Sequence, residues 1–249
     1  MPFTVLFIFV SCSKTNPSTT TPTTKNNAWC KITKATTVLN GSQSISTYTW
    51  NGNTYTGKDA SSGIKEDVAT YNDNGKILSY TYYNSDGSIL YSYATEYTDC
   101  ANWCKATKRT DNTTTPPVVT NITWNGNTST EKNTAGQTTT VTTYNDNGKV
   151  LSQTTYNPTT GAVNGTTTYE YTDCANWCKV TKQTTVQGTT STVLNSTWSG
   201  NTQTNKDGTG LLKSVQIYND FGEIISQTVY NSDGSIGLTL TNEYTDCKQ

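Results

Sequence analysis

Histidine is absent from the 249 residues of this chain. Its absence removes the commonest general base, the commonest metal ligand and every Ser-His or Cys-His nucleophile arrangement, so we expect a protein that is not an enzyme. Charge is scarce as well, since 17 basic residues stand against 18 acidic ones for a net charge of −1. This balance gives no electrostatic footprint for nucleic acid, and no metal or cofactor is indicated.

Long apolar runs are also lacking. The N-terminal run at residues 2–10 (PFTVLFIFV) is too short to span a bilayer as a helix but has the length of a signal-peptide core, which predicts an extracellular protein. It ends in Phe9-Val10-Ser11-Cys12, which resembles the lipobox of bacterial lipoproteins, and the resemblance implies lipid attachment at Cys12. Residues 13–28, rich in Ser, Thr and Pro, then form a tether. The alternative is that residues 1–12 are retained, with residues 3–10 as an assembly strand.

What the sequence has in abundance is repetition. Trp-Cys occurs at 29/30, 103/104 and 177/178, so successive copies are offset by 74 residues. Each copy continues through a second Trp and a Tyr-Asn-Asp segment and closes on Tyr-Thr-Asp-Cys. These anchors recur in register and predict three tandem units, at residues 29–100, 101–174 and 175–249.

Within a copy the turn residues are those of β-hairpins. Asn-Gly and Asp-Gly pairs, such as Asn40-Gly41 and Asp86-Gly87, supply the positive φ that two-residue turns require. The segments between them are rich in Thr, Tyr, Val and Ile and predict about six strands per copy. Because the linkers between copies are very short, we expect an all-β fold of three tandem disulfide-closed antiparallel units stacked as a rod.

The second half of each copy carries a recognisable pattern. In the first copy its residues are Tyr71, Asp73, Gly75, Leu78, Gly87, Tyr91 and Tyr93. The pattern resembles the YD (RHS-type) repeat, with Asn72 where the family has Asp after Tyr. The resemblance implies a hairpin sheet in a secreted surface protein and implies no reaction.

The repeat cysteines leave two pairing schemes open. In the first scheme each copy is closed on itself, as Cys30–Cys100, Cys104–Cys174 and Cys178–Cys247. In the second, the junctions are closed, as Cys100–Cys104 and Cys174–Cys178, which leaves Cys30 and Cys247 without neighbours. Cysteines four apart on an extended strand are about 13 Å apart, beyond the ~7 Å limit for a disulfide, so the first scheme is favoured.

Two functions remain. Trp50, Trp124 and Trp198 each lie beside a turn and either stack on sugar rings or cap a small core. The favoured function is that of an extracellular structural or adhesive protein of the bacterial cell surface, with the hypothesis that the chain assembles with copies of itself into a head-to-tail fibre. The alternative is a carbohydrate-binding surface lipoprotein whose partners are surface glycans. Membrane contact is expected only through a lipid on Cys12.

Overall fold

The structure, a computed structural model, describes residues 29–100, 103–174 and 178–247. The predicted signal segment, Cys12 and the tether lie outside the described residues. Within those ranges the secondary structure consists of 18 β-strands. No helix long and apolar enough to cross a membrane occurs among them.

Each copy forms six strands, as the turn pattern predicts. The strands of the first copy are β1 (Lys31–Leu39), β2 (Ser42–Asn51), β3 (Thr54–Asp59), β4 (Lys65–Tyr71), β5 (Ile77–Tyr83) and β6 (Ile89–Thr98). Those of the second are β7 (Lys105–Asp111), β8 (Val118–Asn125), β9 (Thr128–Lys132), β10 (Thr138–Tyr144), β11 (Val150–Tyr156) and β12 (Val163–Thr172). Those of the third are β13 (Lys179–Gln187), β14 (Thr190–Ser199), β15 (Thr202–Asp207), β16 (Leu212–Tyr218), β17 (Ile224–Tyr230) and β18 (Ile236–Thr245).

Tight turns connect neighbouring strands. Asn40 and Gly41, between β1 and β2, have φ values of 49° and 82°, the two positive angles that a type I′ turn requires. In the first copy, the turns at residues 40–41, 60–64 and 84–88 lie at one end of the strands, which we call the distal end. The connections at 52–53 and 72–76, and residues 99–100 and 103–104 of the junction between copies, lie at the other, the cysteine end. The other copies repeat this arrangement.

The sheet is closed, and the predicted rod is wrong. Every strand pairs antiparallel with the next in sequence, and β1 also pairs with β18 from Lys31↔Thr245 to Leu39↔Leu238. The 18 strands therefore form one barrel around an axis of approximate threefold repetition. The sequence signals that specify hairpins are local, whereas closure depends on the twist summed over all strands.

The closing seam between β18 and β1 has the same chemistry as the two seams between consecutive copies. On the outer face, Lys34 pairs with Glu243 at 2.8 Å, as Lys108 pairs with Glu96 at 3.0 Å and Lys182 with Glu170 at 3.1 Å. At the cysteine end, Lys31 approaches Asp246 as Lys105 approaches Asp99 and Lys179 approaches Asp173. The seam between β18 and β1 therefore has the same lysine–carboxylate pairs as the seams between consecutive copies.

The cysteines pair at these seams, so the favoured self-closed copies are also wrong. Cys100 bonds to Cys104, Cys174 to Cys178, and Cys30 to Cys247. The extended geometry assumed for Cys100 and Cys104 does not hold, because Asp99 takes a left-handed φ of 52° and the Cα atoms lie 3.9 Å apart. Closure of the barrel in turn brings Cys30 and Cys247, which had no neighbours in sequence, to a Cα distance of 4.1 Å.

The three disulfides should contribute unequally to stability. Cys30–Cys247 spans 217 residues and Cys100–Cys104 spans 4. On the loop-entropy model the first contributes about 5 kcal/mol and the second about 2 kcal/mol. We therefore expect Cys30→Ser/Cys247→Ser to lower the free energy of unfolding in urea far more than the control Cys100→Ser/Cys104→Ser. Equal losses would contradict closure by β1 and β18.

Candidate functional site

Side chains alternate between the two faces of the barrel wall. In β3, Tyr55 and Gly57 are buried on the inner face, while Thr54, Thr56 and Lys58 alternate with them on the outer face. Across the wall the outer face is rich in Thr, and Thr54 and Thr70 hydroxyls of neighbouring strands lie 3.1 Å apart. The apolar and aromatic side chains that a ligand could contact are therefore concentrated inside.

The cysteine end is built by the Tyr-Asn-Asp turn of each copy. In the first copy, Asn72 Oδ1 accepts hydrogen bonds from the backbone N–H groups of Asn74 (3.0 Å) and Lys76 (2.9 Å). Its Nδ2 donates to Cys104 Sγ at 3.5 Å. Asn145 repeats both roles, and Asn219 donates to Cys30 Sγ. A carboxylate has no proton for the sulfur, which accounts for Asn72 where the YD pattern has Asp.

The first tryptophan of the first copy and that of the second copy pack on the Tyr-Asn-Asp turn of their own copy. A Cβ added to Gly75 would lie 2.7 Å from Trp29 Cγ, and one added to Gly148 would lie 2.8 Å from Trp103 Cγ. Gly75 has a φ of 69° and Gly148 one of 73°. Both positions require glycine, because other residues rarely adopt a positive φ and because a side chain there would collide with the tryptophan. The turns are thereby held against the aromatic clusters of the wall.

The tryptophans predicted as sugar-stacking residues are part of the wall. Each is half-buried, and each indole donates its N–H to a backbone carbonyl of the first strand of its copy at 2.7 Å: Trp50 to Ile32, Trp124 to Ala106 and Trp198 to Val180. Their rings contact a tyrosine of the turn, with Trp50 and Tyr71 centroids 5.6 Å apart. Sugar stacking on all three stays a prediction, although Trp50 also lines the cavity described below.

The three Tyr-Asn-Asp turns meet near the barrel axis. Glu223, in the turn of the third copy, is buried with 8% exposure, and the positive charges of Lys76 and Lys149 from the equivalent turns act on it. Burial outweighs these charges and raises the pKa of Glu223 to about 7. Charged side chains from the turns of all three copies are therefore close enough to interact at the cysteine end.

The side chains that face the lumen differ from copy to copy, although the strands that carry them are the same. At three such positions the first copy has tyrosine, and neither of the others does: Tyr55, Tyr80 and Tyr93 correspond to Ser129, Gln153 and Thr167 in the second copy and to Gln203, Gln227 and Leu240 in the third. Because all three copies build the same wall, these tyrosines are not required by the repeat fold, and they mark the first copy as the candidate site.

A buried acid, Asp67, lies next to the tyrosines of the first copy. Tyr55 donates its hydroxyl to Asp67 Oδ2 at 2.8 Å, and Tyr80 is a second hydrogen-bond partner of the carboxyl. Desolvation raises the pKa of Asp67 to about 6. Gly57 makes the room, because a Cβ there would collide with Asp67 Oδ1. The equivalents of Asp67 and Gly57 are Thr140 and Glu131 in the second copy, so the pair is specific to the first.

Tyr55, which donates to Asp67, borders a cavity of about 470 Å³. Its aromatic lining consists of Trp29, Tyr48, Trp50, Tyr55, Tyr71, Tyr91, Tyr93, Tyr97 and Tyr244. Its charged lining consists of Lys76, Arg109 and Glu223. A cavity of this size, with rings on its walls and a few polar groups among them, has the composition of a small-molecule site. No group of three or more metal-ligating side chains is found in the described part of the chain.

Comparison with known proteins gives little. No family model and no curated protein matches the chain. Similar solved structures include porin-like proteins from Bacteroides uniformis (9% identity, TM-score 0.35, 85% of this chain and 96% of that one) and Bacteroides vulgatus (8%, 0.35, 87% and 99%). A Photorhabdus luminescens Tc holotoxin pore is similar at 11% identity and TM-score 0.20, over 78% of this chain and 14% of that one. Likenesses this remote carry no argument, and the lipoprotein and YD-repeat resemblances stay predictions.

The two buried acids predict a pH-dependent stability. Folding raises the pKa of Asp67 to about 6 and that of Glu223 to about 7, so the folded protein holds protons that the unfolded chain releases near pH 4. Their stabilising contribution is complete below about pH 4 and is lost as the pH rises through 6 and 7. We expect the free energy of unfolding to fall by a few kcal/mol between about pH 5 and pH 8.

Differential scanning calorimetry across this range measures the effect. Asp67→Asn combined with Glu223→Gln should flatten the slope, whereas Glu96→Gln, at an exposed outer-face carboxylate, should leave it unchanged. A slope that persists in the double variant would show that these two groups do not cause it.

Proposed function

We propose that the protein is an extracellular binding protein of the cell surface that takes a saccharide into the lumen of its first copy. The observation that carries the proposal is the contrast between a wall repeated three times and three inward-facing tyrosines, Tyr55, Tyr80 and Tyr93, that occur in the first copy alone. Selection for folding alone gives no reason for the first copy to differ from the second at Tyr55, Tyr80 and Tyr93.

The chemistry of the cavity favours a sugar. Aromatic rings pack against the C–H faces of a pyranose, and phenol hydroxyls donate and accept hydrogen bonds at its rim. Tyr93, buried at 8% exposure, and Tyr91 present such rings at a centroid distance of 5.5 Å. Trp50 and Tyr48 border the same space.

The disulfides support the proposed extracellular compartment. All six cysteines of the described residues are paired, and disulfides persist in oxidising surroundings outside the cytoplasm. The predicted export signal and the lipid site at Cys12 agree with this placement. The proposed role is binding and needs no catalytic group.

The sister copies provide test variants that the wall tolerates. Tyr93→Thr introduces the residue of the second copy, Thr167, and should weaken saccharide binding about tenfold or more by removing a stacking ring. The matched control is Tyr169→Thr, which introduces the first-copy residue, Thr95, at a lumen position outside the cavity. Isothermal titration calorimetry with saccharides selected on a glycan array measures both. Failure of any saccharide to bind, or equal losses in the two variants, would refute the proposal.

A second candidate is the structural or adhesive role predicted from the sequence. The favouring observation is a ring of aliphatic side chains at the distal end, where the equivalent residues Ile89, Val163 and Ile236 are 56%, 58% and 58% exposed. Exposed apolar groups of this kind favour protein contacts. A fibre that continues the sheet has less support, because β1 and β18 are paired and no edge strand is left among the described residues.

This candidate has its own test. The variant Ile89→Thr/Val163→Thr/Ile236→Thr removes the aliphatic groups while keeping β-branched residues that suit strands. Sedimentation velocity should show concentration-dependent self-association of the wild type and a monomeric triple variant. A wild type that stays monomeric would remove this support for a structural role.

A further inference from the structure

We infer that the saccharide is acidic and that Arg109 binds its oxyanion, a carboxylate or a sulfate, inside the lumen. This inference rests on the proposed saccharide binding and adds the charge of the ligand and the residue that recognises it.

Arg109 is the one arginine in the sequence. It lies on β7, where its backbone pairs with Thr95 of β6 and Thr120 of β8, and it faces the lumen and lines the cavity. The equivalent residues of the other copies are Ala35 and Gln183, so the wall does not require arginine here. Like the tyrosines, Arg109 is a property of the cavity and not of the repeat.

The guanidinium has no carboxylate partner among the described residues. The seven salt bridges of those residues are all made by lysines, with none to Arg109, and no hydrogen bond of its side chain is found there. Asp111, two residues along the same strand, accepts the backbone N–H of Thr113 at its Oδ1 at 2.8 Å and forms no salt bridge with Arg109. The side chain is also exposed although it faces inward, so solvent in the lumen reaches it.

The surroundings of Arg109 are aromatic. Its charge acts on Tyr91, Tyr93 and Tyr97, the three tyrosines on one face of β6. A sugar ring stacked on these tyrosines would place a ring substituent near the guanidinium. Arginine is the side chain whose planar fork matches an oxyanion with two parallel hydrogen bonds, and such a pair is stronger than neutral hydrogen bonds.

The remaining charges of the cavity allow an anion. Lys76 is a second cation on the lining. The only carboxylate on the described lining, Glu223, is on a turn at the cysteine end, and burial raises its pKa to about 7, so it carries less negative charge than an ordinary glutamate near neutral pH. Asp111, adjacent to Tyr91, is the acid closest in sequence to Arg109.

The test compares two single-charge changes on adjacent residues. Arg109→Gln introduces the residue of the third copy, Gln183, on the inner face. Lys108→Gln removes the same charge on the outer face, where Lys108 pairs with Glu96 at 3.0 Å. The probes are trigalacturonate, its neutral counterpart galactotriose, and a sulfated galactose oligosaccharide, each titrated by calorimetry at low and moderate salt.

We expect wild-type protein to prefer an acidic probe, with affinity that falls as salt rises. Arg109→Gln should lower that affinity about 10- to 100-fold, the loss expected for a hydrogen-bonded charge pair, and abolish the preference. Lys108→Gln should change it less than threefold. The carboxylate and sulfate probes show which oxyanion is taken.

Two negative results are distinguishable. Binding of neutral and acidic probes alike, unaffected by Arg109→Gln, would overturn the acidic ligand and leave saccharide binding in place. No binding of any saccharide by wild-type protein, on the array or in solution, would overturn the proposed function itself.

Discussion

The pairing of β18 with β1 is the interaction on which the rest of the structure depends. It joins segments more than 200 residues apart in sequence, and it does so with the disulfide and lysine–carboxylate pairs that also join consecutive copies. Without it the chain would be an open sheet with two unpaired edges, a form prone to aggregation. With it the three turns of the cysteine end are brought to one axis, and the inner faces of 18 strands enclose a lumen.

The residues that recur in all three copies build the barrel wall and its turns, whereas the residues that differ between copies line the lumen. Asn72, Gly75 and their equivalents build the turns, and the second tryptophan of each copy ties its first strand to its second. Inward-facing residues such as Tyr93, in contrast, are replaced by different residues in the other two copies. A repeat protein offers this comparison within a single sequence, because a residue that its sister copies replace freely is not required by their shared fold.

Much of the frame could be predicted from the sequence, and little of the site. Asn40-Gly41 specifies its hairpin through local backbone preference, and the offset of 74 residues gives the three copies. Closure of the barrel has no local signal in the sequence. The predicted cysteine pairing is wrong because Asp99 bends the junction, which the prediction treats as extended. Trp50 is repeated in every copy because it helps to build the wall, so its repetition does not indicate a binding site. The signal for the site was the unrepeated set of Tyr55, Asp67 and Tyr93, which only becomes a set once their strands curve around one cavity.

The charges of the lumen follow from the same closure. The turn that carries Glu223 is buried because three turns share one axis, and burial favours the protonated acid. Asp67 is protonated more readily than an exposed aspartate because Tyr55 and its neighbours exclude water around it. The packing that forms the cavity thus favours the protonated forms of Asp67 and Glu223, while Arg109 faces the lumen with an exposed side chain. A lining whose one described carboxylate, Glu223, is buried and whose one guanidinium, Arg109, is exposed supports the proposed anionic ligand.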